Sequence, residues 1–138
     1  MAAVSTQFGK NTQRRSSTPF AASRDERPLW RLSTAPNRGA ELGTMIARLD
    51  EAEVIYDWAG GLVWVALAPA DDGGAALVRR AIAATGGHAT LIRAPVPLRA
   101  ATEVFAPQDA AVTALTKRVK ESFDPRGVLN PGRMWAGI

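Results

Sequence analysis

The sequence predicts an α+β domain with an antiparallel sheet, and three observations predict it. Four short runs rich in branched and aromatic residues, the composition of strands, are separated by two segments with helical apolar spacing. Gly-Gly steps at 60–61, 73–74 and 86–87 fall at joints between these segments, where the chain must turn. The resulting order is β-α-β-β-α-β, the split βαβ pattern of ferredoxin-like domains.

Residues 1–27 are polar, basic and rich in Ser, Thr, Gln and Arg, without strand or helix periodicity. They read as a flexible N-terminal segment. Leu29-Trp30-Arg31-Leu32-Ser33 alternates apolar and polar in part and stops before the turn cluster Pro36-Asn37-Arg38-Gly39, so it is the first strand. Leu42, Met45, Ile46 and Leu49 then fall on one face of a helix. Val54 to Trp58 and Leu62 to Leu67, joined through Ala59-Gly60-Gly61, predict a β-hairpin in which Trp58 and Trp64 could meet across the strands. Asp71-Asp72 offers carboxylates to cap a second helix, whose stripe is Leu77, Val78, Ala81, Ile82 and Ala84. Gly86-Gly87 ends it, and His88 to Arg93 is the last strand, closed by Pro95 and Pro97. After a proline-containing connector, Pro107-Gln108-Asp109 opens a final helix running to about Phe123, with Val112, Leu115 and Val119 as its apolar stripe. Lys117, Arg118 and Lys120 sit toward its C-terminal end, where cations complement the helix dipole. The division is a basic segment (1–27), a ferredoxin-like cap-type domain (28–105), and a helix with an extended tail (106–138).

Composition removes several function classes. The 138 residues include no cysteine, which excludes disulfides, cysteine nucleophiles and thiolate iron–sulfur ligation. One histidine, His88, leaves neither a zinc cluster nor a Ser-His-Asp set with a spare base, and no metal site is expected. Part of the +4 net charge comes from Lys10, Arg14, Arg15, Arg24 and Arg27, with no aromatic residues interleaved as a stacking surface, so nucleic acid is not an expected partner. The longest apolar run, Leu62 to Ala70, is too short to span a bilayer, and residues 1–20 lack the pattern of a signal peptide. A cytoplasmic location is the expectation. Asp71-Asp72 reads as a helix cap rather than a metal pair, and the four tryptophans as core or interface. None of the Gly-Gly steps has dinucleotide-loop or phosphate-loop spacing.

The end of the chain carries a denser pattern. Phe123-Asp124-Pro125-Arg126-Gly127-Val128-Leu129-Asn130-Pro131-Gly132-Arg133-Met134 holds two Asx-Pro steps and two glycines directly after a basic helix. Proline restricts the residue before it, and glycine permits left-handed backbone, so this is a shaped tail. Turn chemistry alone leaves mere geometry as a sufficient account.

This stretch resembles the C-terminal DP-x-G-x-x-NPG-K/R signature of FAD-linked oxidases of the vanillyl-alcohol oxidase type. With Pro28-Leu29-Trp30-Arg31-Leu32-Ser33, Tyr56-Asp57-Trp58-Ala59-Gly60-Gly61-Leu62-Val63-Trp64 and Gly86-Gly87-His88-Ala89-Thr90-Leu91, the resemblance narrows to the FAD-binding subunits of bacterial glycolate oxidases, over roughly residues 28–138. It implies a cap and C-terminal portion of a subunit oxidising glycolate or a similar 2-hydroxy acid to the 2-oxo acid, with FAD as cofactor. It places Asn130, Arg133, Gly132 and Gly127 toward the flavin: an amide and a fixed cation, plus two glycines permitting close backbone approach. It assigns no catalytic residue. The implied partners are a flavin domain, on the same subunit or a separate chain, and further oxidase subunits including an iron–sulfur subunit, which could hold the protein peripherally at the inner membrane. The family's flavin domain has no counterpart here, so this portion alone is expected to be inactive and to bind FAD weakly or not at all. The expectation is a truncated product, an expression fragment or one piece of a split protein. The alternative is a cofactor-free ferredoxin-like interaction or assembly module.

Overall fold

The computed structural model describes residues 27–138, so the basic N-terminal segment lies outside the described residues except for Arg27, whose guanidinium bonds the Glu53 carboxylate at 3.0 Å. Four strands form one antiparallel sheet in the order β2-β3-β1-β4. They are β1 (Leu29–Ser33), β2 (Glu53–Asp57), β3 (Leu62–Ala66) and β4 (His88–Arg93). Helices α1 (Gly39–Leu49) and α2 (Ala75–Thr85) connect them in the expected β-α-β-β-α-β order. Strand alternation sends Trp30 and Leu32 to one face, opposite Val65 and Val63 on β3 and Leu91 and Ala89 on β4. All six are buried against Leu42 and Ile46 of α1 and Val78, Ala81 and Ile82 of α2. The opposite face carries a row that crosses the whole sheet: Ile55, Trp64, Arg31 and Thr90.

Several residues of the core do more than fill space. Trp30 is fully buried, its indole N–H donates to the Gly73 carbonyl at 2.8 Å, and the Arg79 guanidinium lies 5.3 Å from its ring centre. Arg79 also donates to the carbonyls of Ala89, Glu103 and Phe105 at 2.8–3.1 Å, tying the segment after α2 and the later connector to one planar fork. Burial lowers the pKa of this guanidinium, which nonetheless stays a cation. Where β1 meets β4, Trp30 pairs with Leu91 but Leu29 with Arg93, leaving Ile92 as a bulge.

The Asp72 carboxylate accepts the amides of Gly74 and Ala76 at 2.8 and 2.9 Å, so it caps the start of α2, and these bonds lower its pKa. At the other end Gly86 has φ 79° and ψ 162°: it is extended at positive φ rather than the left-handed cap expected, and it still demands glycine.

Three further features depart from the sequence reading, and Ala84, expected in the α2 stripe, is exposed. Trp58 does not meet Trp64. The loop of the β2–β3 hairpin takes positive φ at Trp58, Ala59 and Gly60, which turns Trp58 out to 75% exposure while Trp64 pairs with Ile55 and Arg31. Leu49 leaves the α1 stripe for solvent because the helix ends there. The connector after β4 contains a further short helix, α3 (Val96–Ala101), because Pro97 falls in its first turn, where a missing N–H costs nothing.

Candidate functional site

The candidate site forms where the C-terminal segment meets the connector that leaves the sheet. Helix α4 (Ala110–Phe123) begins at the Asp109 side chain, which accepts the Val112 amide at 2.8 Å. Its stripe of Val112, Leu115, Val119 and Phe123 is exposed, with Phe123 84% accessible, so no core residue covers it.

Asp124 stops α4 and organises the tail beyond it. Its carboxylate accepts the amides of Val128 and Leu129 at 3.0 and 2.8 Å and the Lys120 ammonium at 2.7 Å. Lys120 also donates to the Leu129 carbonyl. The carboxylate is covered by its own loop rather than by the core, its side chain only 4% exposed. The Lys120 bond and the two amides hold its pKa down to about 2. Further along, Trp135 donates its indole N–H to the Ala106 carbonyl at 3.1 Å and packs its ring 6.0 Å from Phe105, tilted by 52°. Tail and connector thus meet at one aromatic pair.

That pair walls two clefts. The first, about 770 Å³, is lined by Asn130 and Arg133 together with Arg99 and Lys120 and with apolar Val119, Leu129 and Met134. The second, about 530 Å³, is lined by Arg31, His88 and Thr90 from the sheet and by Gln108 and Asp109 from the connector. Phe105, Met134 and Trp135 border both.

Of the four residues singled out in the tail, Asn130 and Arg133 come together in the first cleft. Asn130 adopts φ 47°, a conformation asparagine tolerates better than most residues, and its carbonyl accepts the Arg133 amide at 3.3 Å. Arg133 has no ion-pair partner among the described residues. Gly127 and Gly132 have φ 62° and 66°, and a side chain at either would meet only open space. Backbone conformation accounts for them. An amide and a cation, with Arg99 and Lys120 in the same lining, fit the edge of an anionic aromatic ring, the character of a reduced flavin. No glycine loop for a pyrophosphate accompanies them among the described residues. His88 is exposed and has no carboxylate hydrogen-bonded to it among the described residues. No group of three or more metal-ligating side chains occurs among the described residues, and no described helix is long and apolar enough to cross a membrane.

Sequence reasoning missed Arg31, Gln108, Phe105 and Trp135. For Arg31 the signal was present: an arginine between two buried positions of a central strand must face away from the helices. The others are brought together by a chain reversal with no local pattern.

Over 86 residues, 62% of the chain, the sequence is 36% identical to glycolate oxidase subunit GlcE of Escherichia coli (strain K12). The match supports a relation between the two. The chain spans about a fifth of that relative, 22% of its length. No family model and no solved structure matches.

Proposed function

We propose that this chain is the cap and C-terminal portion of an FAD-dependent subunit that oxidises glycolate or a similar 2-hydroxy acid to the 2-oxo acid. The observation that carries the reading is the convergence of Asn130 and Arg133 on one cleft, which Arg99 and Lys120 also line beside apolar Val104, Phe105 and Val119. The relation to a glycolate oxidase subunit supports it, as does the ferredoxin-like sheet, which gives a cap its rigid frame.

In this reading the flavin is held mainly by a separate domain, on the same subunit or on another chain. Arg133 would supply a fixed positive charge where negative charge develops, and Asn130 would orient the ring edge by its amide. When bound, the flavin supplies acceptance of the two electrons leaving the hydroxy acid. Phe105 and Trp135 would keep water from that edge. Those electrons would pass to an iron–sulfur partner subunit, a role closed to this cysteine-free chain. A cytoplasmic setting, with attachment to the inner membrane only through partners, belongs to the same proposal, as does the inactivity of this portion by itself.

The test is co-expression with a matching flavin domain, reading flavin absorbance in the purified complex. Retained flavin, with reduction slowed by Arg133→Ala and folding unchanged, supports the reading. Absence of flavin from both the complex and a covalent fusion would sink it.

One observation favours a second reading. The uncovered stripe Val112, Leu115, Val119 and Phe123 suits a cofactor-free interaction module that docks through α4. In that case Arg133→Ala leaves assembly intact while Leu115→Asp abolishes it.

A further inference from the structure

We propose that the outer edge of β2 pairs with β2 of a second copy of this chain, joining two sheets into one across a twofold axis at Ile55. The two edges of the sheet differ. Along β4 the Leu91 amide donates to the Val104 carbonyl at 2.9 Å, and Arg79 holds the Glu103 and Phe105 carbonyls beside it, so the connector covers that edge. Strand β2 pairs with β3 alone, in one unbroken register from Glu53 to Asp57. No described segment makes a backbone hydrogen bond to its outer side. It has no proline, no lysine and no bulge, the common devices that keep an edge from pairing. Its two charges, Glu53 and Asp57, sit at its two ends.

What the edge carries decides the occupant. Strand alternation puts Glu53, Ile55 and Asp57 on the open face of the sheet, and Val54 and Tyr56 on the helix side. A twofold axis perpendicular to the sheet keeps those faces matched, and centring it on Ile55 gives the register that uses all five residues. Ile55 then meets its own copy, and Val54 meets the second copy's Tyr56. Val54 is only partly buried at the rim of the core and Tyr56 is 47% exposed, so an aromatic–branched pair gives both the cover they lack. Glu53 meets the second copy's Asp57, a repulsive pair in isolation. Arg27 removes the repulsion: its guanidinium lies 3.0 Å from the Glu53 carboxylate, and its several donors can serve a second carboxylate as well. Asp57 accepts the Trp58 amide at 2.8 Å with one oxygen and offers the other. Both ends of the pairing are thus acid–arginine–acid. An unrelated basic strand would find Glu53 already neutralised, which favours the second copy. No β2 residue lines either cleft, so the pairing is independent of what the clefts bind.

The test is sedimentation equilibrium of the full chain. A short strand edge buries little area, so the expected dissociation constant is about 10–100 µM. Arg27→Glu should weaken dimerisation about tenfold, and adding Asp57→Lys, which returns a cation opposite Glu53, should restore it. The chain lacks cysteine, so a single introduced thiol reports the register. Under oxidation Ile55→Cys should crosslink to its own copy. Glu53→Cys, about 13 Å from its counterpart because four residues separate them along the pair, should not. Position 53 is the more exposed of the two, so random collision would give the opposite order. An unchanged near-ultraviolet signal from buried Trp30 shows that each variant is folded. The mass of a single chain at the highest concentration, a dimer untouched by Arg27→Glu, or equal crosslinking from positions 53 and 55 would each overturn the proposal.

Discussion

The Lys120 ammonium and the Asp124 carboxylate lie 2.7 Å apart, one turn from each other, at the point where α4 gives way to the tail. The pair is a latch: Asp124 holds the amides of Val128 and Leu129 while Lys120 holds the Leu129 carbonyl. Removing the carboxylate should free the tail and spare the sheet. Asp124→Asn is expected to raise hydrogen-exchange rates at Val128 and Leu129 sharply, with β1 and β3 amides unaffected.

Acid should do the same reversibly. The Asp124 pKa is about 2 when folded against 3.8 for a free carboxyl, so the latch contributes fully above pH 3.8. Its contribution fades as pH falls from 3.8 through about 2. Exchange at Val128 and Leu129 measured between pH 5 and pH 2 should show that window, and Asp124→Asn should abolish the pH dependence.

Arg79 should be irreplaceable by lysine. Its fork serves three carbonyls and lies over Trp30, geometry an ammonium cannot reproduce. Arg79→Lys and Arg79→Met are both expected to lower unfolding free energy by about 1–3 kcal/mol, read from urea denaturation.

Two glycines of α1 should respond differently to alanine. A methyl at Gly39 would sit 2.0 Å from the Gly60 carbonyl oxygen, and that backbone cannot yield without moving the hairpin loop. Gly39→Ala is expected to cost about 1–3 kcal/mol. At Gly43 the obstacle is the Tyr56 ring, the far end of a half-exposed side chain that can swing aside. Gly43→Ala should therefore be markedly milder, helped by alanine's better helix propensity. Thermal melts of the two variants side by side decide it.

Trp135→Ala should remove the wall shared by the two clefts. The prediction is faster proteolysis after residue 123 with an unchanged near-ultraviolet signal from buried Trp30.

The sheet was legible because its signals are local and redundant. Leu29 to Ser33, the hairpin and the glycine-bounded helices each announce their own state, and the side-chain period of two then fixes which face is buried. Asp72 as a cap was legible for the same reason. The failures share a cause as well. Trp58 points away from Trp64 because three successive left-handed residues reshape a loop that Gly60-Gly61 alone would have kept tight. The α3 helix was hidden because prolines that usually end helices also begin them. In the tail, turn residues marked a shaped segment, but its target did not show: the Phe105–Trp135 contact spans 30 positions and depends on Arg79 holding the connector in place.

The pairing of Leu29 with Arg93 brings the first and last strands of the sheet edge to edge, so the chain leaves the domain beside where it came in. A fold with that property behaves like a cartridge. It can be seated in a surface loop of a larger host without spreading the host's own strands, and its two connections stay a single strand-spacing apart. The hinge of any motion between host and cartridge would then lie at these paired strand ends, with Arg31, His88 and Thr90 on the cartridge and the tail residues of the clefts beyond it.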